Sequence, residues 1–434
     1  MKSLISLFSA LVLVSAAAGC GDGSSSSTGG GGGSGGSGGG PSVEPVPILE
    51  KTPAITHTCV ETRAMTQELG VMSGRVEGLV ELGGTFFELR SEEKLTVAAL
   101  GLDGQLGDPV DLETDPFAFR APTLASDGQS LAAVWSAPGE TILFARMDET
   151  PALVAGPTEI PVTSASQTSA SALVPDGAGY VLFYGATSGS DTELLFLRLD
   201  ADGAAMGEPV SIGSVGETYI AQMGVAPTGD GGFALAYSKG HFGQTEVNFT
   251  ILNADGTPRF PARRISAAAS TEVASRLTLA PRQSVVKVGE QYWVAFTETN
   301  VQFEVEKGYT IIRLAVVESD GSAVLHSLEA PVDQDEAAWP SFVPFDGKVG
   351  LTWTKGHIIW ICGGCITDHD MHFVLLDPAA LAPASEVATH VHKTNGIVAP
   401  LIARSGADLA TASGLDFHAL SLPASGAMRC DPAP

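Results

Sequence analysis

The chain has 434 residues, 44% of them hydrophobic, and carries 49 acidic against 23 basic residues for a net charge of −26. So acidic a body is repelled by the phosphates of nucleic acid and by anionic surfaces, which argues against a nucleic-acid partner and for a soluble monomer. Beyond the N-terminus no run of 18 apolar residues occurs, so no spanning helix is expected.

The first element is "MKSLISLFSALVLVSAAAGC", with one cation at Lys2, an apolar run from Leu4 to Val14 and small residues ending at Cys20. That order describes a signal peptide, and the run is too short to span a bilayer. Its last four residues, Ala17-Ala18-Gly19-Cys20, resemble the lipobox of bacterial lipoproteins. The resemblance covers only the first 20 residues. It implies removal of residues 1–19, palmitate-type acylation of Cys20, and a mature charge of −27 once Lys2 is gone, from 49 acids and 22 bases. Residues 21–40 hold 12 Gly and 6 Ser, a flexible-coil composition with a reach of roughly 25 Å. Residues 20–53 are therefore expected to be an acylated cysteine plus a slack tether, and residues 54–434 the folded domain.

Within 54–434 a hairpin recurs. "LRLDADGAAMGEPVSI" at Leu197 has a near copy in "TILNADGTPRFPARRI" at Thr250. Asp-Gly between apolar runs is a strong hairpin signal, because glycine takes positive φ without penalty. Upstream of each such hairpin lies a strand of large apolar residues: "TFFELR" at Thr85, "LAAVWS" at Leu131, "YVLFYG" at Tyr180, "FALAYS" at Phe233, "YWVAFT" at Tyr292, "VGLTWT" at Val349 and "ADLATAS" at Ala407. A further Asp-Gly turn often precedes it, as at Asp127-Gly128, Asp176-Gly177, Asp230-Gly231 and Asp346-Gly347. Four strands per unit, repeated seven times, predict an all-β chain folded as a single seven-bladed β-propeller; paired β-sandwiches are the competing reading.

The last unit ends early, at "ASGAMRC", while "AITHTCVETRA", Ala54 to Ala64, is left over before the first. The leftover segment is expected to complete the final blade, bringing Cys59 to Cys430 as a disulfide. The two remaining cysteines stand in "KGHIIWICGGCITDHDMHF", from Lys355. Cys362 and Cys365 are expected to close a small local bridge, the glycines permitting the tight ring. The alternative is a zinc or copper site of Cys362, Cys365, His369 and His372. No resident cofactor is otherwise expected.

The longer connections fall at the end of the units opposite the Asp-Gly turns. They carry His241, Trp339, His357, Trp360, His369, Asp370, His390 and His392, the candidate binding rim, since loops on a rigid scaffold commonly hold binding residues. No Gly-x-Ser-x-Gly, His-Glu-x-x-His or phosphate-loop motif occurs, and no catalytic residue is assigned. Taken whole, the chain resembles tethered propeller lipoproteins of Gram-negative cell envelopes, through the lipobox, the Gly/Ser tether and the repeat. Gly21 is not the aspartate that signals inner-membrane retention in such lipoproteins, which implies outer-membrane placement on the periplasmic or the external face. The expected role is non-catalytic: a lipid-anchored binding or scaffolding module for an envelope protein or glycan. A propeller hydrolase or lyase acting on envelope polymers, and a metal-binding protein, are the alternatives.

Overall fold

The computed structural model describes residues 41–433, apart from 68–74, 92, 115–119, 138–140, 163–166, 178, 217–222, 242–243, 268–283, 303–306, 334, 360–364, 392–399 and 414–423. Almost every element is a β-strand; the sole helical piece among the described residues is the 3-10 turn Ile48–Glu50.

The strands are built into a β-propeller of antiparallel meanders. The innermost strands touch in sequence, Arg75–Leu82, Arg120–Ser126, Gln167–Asp176, Gly224–Pro227, Ser284–Val288, Asp335–Phe345 and Pro400–Ser405, and the last touches the first. The second strands read as continuous apolar runs because neighbouring sheets cover both their faces. Leu131–Ala137 and Gly179–Ser188 are buried along nearly their whole length. Each hydrophobic cluster accordingly draws on two successive units. Phe87 and Leu89 meet Trp135 and Met147, and Phe183 and Phe196 meet Phe233 and Tyr237. The circle closes where Val76, Leu79 and Phe86 pack on Leu401, Ala403 and Ala412.

The expected seven separate blades are corrected to five. Five sheets have four strands each, and the strands assigned to the fifth and sixth units belong to one ten-stranded sheet. The hairpin of Gln291–Gln302 and Lys307–Val317 is long enough for Thr310 to bridge in parallel to Glu336 on the next inner strand, fusing two meanders.

The repeated Asp-Gly turns have a second purpose besides reversing the chain. Asp200 Oδ1 accepts from the backbone N–H of Asp202 (3.0 Å) and Ala204 (2.8 Å), and Gly203 takes φ 86°. The ring of Phe144, from the preceding sheet, lies where a Cβ on Gly203 would stand; Phe196 does the same at Gly256 and Phe260 at Gly321. Arg146 and Arg198 donate to the carbonyls of Ala201 and Ala254 in the same turns. The turns therefore dock successive sheets. Gly203→Ala should cost about 2–4 kcal/mol, strain plus overpacking. Gly128→Ala, at φ 84° with nothing near its side-chain position, should cost about 1 kcal/mol from strain alone. Thermal unfolding of the two variants side by side checks the difference.

The two ends of the chain meet in the final sheet. His57–Gln67 forms its outermost strand, antiparallel to Ala424–Pro432, with Cys59 opposite Cys430. A disulfide joins these two cysteines across 371 residues of sequence.

Residues 41–53, expected to be slack, are instead a docked strap. Ser42–Val43 runs parallel to Ala323–Ser327, and the N–H of Leu49 donates to Leu328 O at 3.0 Å. Ile48 is fully buried among Trp293, Ile312 and Trp353, between the fifth and sixth units. Farther on, the N–H groups of Ala54 and Thr56 donate to Pro383 O and Ala384 O. Pro45 and Pro47 keep the segment from continuing as a strand, so one apolar plug and a few backbone bonds hold it. Ile48→Ala should remove about 2–4 kcal/mol of stability and speed tryptic cleavage at Lys51.

Candidate functional site

Antiparallel alternation places the first-to-second and third-to-fourth turns at one end of every unit, and the longer connections at the other. At that loop end, between the fifth and sixth units, the described polar side chains converge.

The second and third strands of the fifth unit supply Glu298 and Arg313, whose guanidinium donates to Glu298 Oε1 at 2.7 Å and to the Ser327 hydroxyl. Thr297 Oγ1 accepts the Trp339 N–H at 3.1 Å. Lys355 pairs with Glu329 across the cleft. These two, with Thr310, Asp335 and Ala337, line a cavity of about 10 Å³, enough for a single water.

Glu336 lies beside this cluster on the inner strand. It is 3% exposed, and its Oε2 has no hydrogen-bond partner. Burial pushes its pKa up to about 8, because the charged form would lose its hydration. The carboxyl is therefore largely neutral at pH 7, a hydrogen-bond donor rather than an anion.

His372 stacks on Trp353 at 5.3 Å between centroids, and its Nδ1 lies 3.3 Å from Thr389 Oγ1. Burial lowers its pKa, and the opposing effects of Glu329 and Asp370 do not restore it. Lys355 adds to the lowering. The ring is thus neutral and packed inward.

Of the expected rim residues, Trp360 and His392 lie outside the described residues, as do the side chains of His241, His357, His369 and His390. Asp370 is half-buried, opposite Lys355 in register. Trp339, expected on the candidate binding rim, is corrected. It is 4% exposed and sits at φ 52° in a bulge between Ala338 and Ser341, which turns it into the protein. In the proposed metal set, Cys362 and the side chains of Cys365 and His369 lie outside the described residues, so the local bridge and the zinc or copper site do too. No metal-holding group of His, Cys, Asp or Glu is found among the described residues.

The sequence reading passed over Glu298, Arg313, Glu329, Lys355 and Glu336. Only Glu336 left a trace. In "VDQDEAAWP" an acid directly precedes the apolar residues of an inner strand, where both faces are covered and a charge is costly. The arrangement suits polar recognition: a neutral acid beside oriented ion pairs, all on strands but Glu329, which lies in the bend after Ala323–Ser327.

No protein-family model matches the chain, and no curated protein matches it. Solved structures do resemble it in fold. The Dos1 propeller is 10% identical with a TM-score of 0.46, covering 81% of this chain and 77% of that one. An α-L-arabinanase of Penicillium chrysogenum, complexed with arabinobiose, is 13% identical with a TM-score of 0.43, covering 72% and 94%. A PQQ-bound aldose sugar dehydrogenase of Streptomyces coelicolor is 12% identical with a TM-score of 0.41, covering 88% and 100%.

Proposed function

We propose that this chain is a lipid-anchored, extracytoplasmic propeller of the outer membrane that presents its loop end to an envelope protein or glycan without catalysing a reaction. The lipobox at Cys20 and the Gly/Ser composition of residues 21–40 support the anchor. The observation that carries the reading is the strap. Ser42 lies opposite Val324, just past the Asp320-Gly321 turn, so residue 42 meets the body near the turn end, opposite the end that carries the longer connections. The strong negative charge favours a partner with basic or uncharged contact groups.

The test has two parts. The full chain should float with membranes after expression in a Gram-negative host and carry acyl groups by intact mass, whereas Cys20→Ser should do neither. Immobilised protein should retain a partner from envelope extract, and replacing residues 360–364 with Gly and Ser should lose it while the fold is kept. A protein that retains nothing from envelope extract or a glycan array is not a binding module.

One observation favours a second reading, a hydrolase or lyase of envelope polymers: the neutral Glu336 carboxyl has the protonation state of a general acid. Turnover on a glycan or ester panel that Glu336→Gln abolishes would put that reading first.

A further inference from the structure

We infer that the flank formed by the strap and the N-terminal clasp strand is a lipid-contacting surface fitted to a zwitterionic bilayer. This rests on the anchored reading above and adds which side of the body meets the membrane. Large apolar side chains left exposed are unevenly placed. Val43, Val46, Ile55 and Val60 all lie within residues 43–60, at 51%, 48%, 39% and 49% exposed. Val387 joins them, on the segment leading into Ala388–Val391, which touches the clasp strand. Of the remaining exposed large apolar residues, Leu102, Leu153, Val154 and Met206 are scattered over the first three units, and Val332 stands in the crossing from the fifth unit to the sixth.

The covalent path determines the occupant. In the anchored reading residues 20–40 lead from Cys20 to residue 41 at the edge of this flank, and their Gly/Ser-rich composition and length allow a reach of roughly 25 Å. The strap is then the part of the fold nearest the lipid. Strap side chains also divide in two ways: Ile48 turns into the core, while Val43 and Val46 are about half exposed. The charges on the strap and clasp strand, Glu44, Glu50 and Glu61 against Lys51 and Arg63, leave an acidic excess of one. That excess favours neutral headgroups over anionic ones. Four or five half-exposed aliphatic groups form too small an area to bind alone, so contact should appear only in the anchored protein, where the tether makes the encounter intramolecular.

The experiment uses the acylated full chain in vesicles of phosphatidylethanolamine and phosphatidylcholine, with an environment-sensitive fluorescent residue introduced at Val46, at Val60 or, as control, at Met206. The expected result is a blue shift on anchoring at Val46 and Val60 and none at Met206, weakened when part of the lipid is replaced by phosphatidylglycerol. Co-flotation with no shift at Val46 and Val60, or with equal shifts at all three positions, overturns the surface and leaves the anchor standing. A shift that grows with protein concentration in the absence of vesicles assigns the flank to a second copy and overturns the lipid assignment. Failure to float at all removes the anchored reading, and the surface with it.

Discussion

Replacing Cys59 and Cys430 by serine lowers the free energy of unfolding by as much as about 5–6 kcal/mol, the largest stability effect expected of any pair in the protein. The bond closes a loop of 371 residues, nearly the whole folded body. In the chain-entropy account the stabilisation comes from the freedom denied to the unfolded chain, which grows with the logarithm of loop length, so this value is an upper bound. Against a typical net stability of about 5–15 kcal/mol the loss is large. The backbone pairing of His57–Gln67 with Ala424–Pro432 persists in the variant, so the native sheet need not change. What changes is local opening. Hydrogen exchange at His57–Gln67 should rise steeply, while Thr85–Ser91, buried between sheets, stays protected until global unfolding. Urea unfolding of wild type and the double-serine variant measures the first effect, and an unchanged unfolding energy would show that the clasp strand alone closes the ring.

How much of this was legible in the sequence differs by element, for physical reasons. The meander units announce themselves because each needs glycine at a fixed place, as at Gly203 and Gly256, and a second strand apolar on both faces, as at Leu131–Ala137. The meeting of Cys59 and Cys430 could be read from a leftover segment at one end and a missing strand at the other. The strap could not. "PSVEPVPILEKTP" has the proline content of a linker, and a single buried side chain, Ile48, separates docked from slack. The fusion of two units at Thr310 and Glu336 depends on how far one hairpin overhangs its neighbour, which strand patterns do not encode. Trp339 misled for a related reason. An aromatic next to Pro340 in a crossing segment reads as exposed loop, yet the inner strand begins at Asp335, and a bulge turns the indole inward. The ion pairs Arg313–Glu298 and Lys355–Glu329 bring together residues whose sequence neighbours give no hint of a partner.

Glu336→Gln should abolish a fall in stability that wild type shows between pH 4.5 and about 8. In the unfolded chain this carboxyl ionises near 4.5, and in the fold it is held up to about 8 by burial. Between those values the native state binds a proton that the unfolded state has lost, so stability decreases as pH rises through the window. Below 4.5 both states are protonated and the protein is at its most stable with respect to this group; above about 8 both are ionised and the loss is complete. The separation corresponds to about 3–5 kcal/mol. The cost is specific to the charge. Oε2 has no hydrogen-bond partner, and burial is the cause of the shift. Glutamine keeps the shape and removes the ionisation, so the two proteins should unfold at similar urea concentrations at pH 5 and differ by several kcal/mol at pH 8.5, the variant being the more stable. A difference that stays constant from pH 5 to pH 8.5 would mean that the carboxylate is accommodated on ionising, either by water entering the inner strand or by local opening at Asp335–Phe345. Hydrogen exchange along that strand at the higher pH separates a global loss of stability from such an opening.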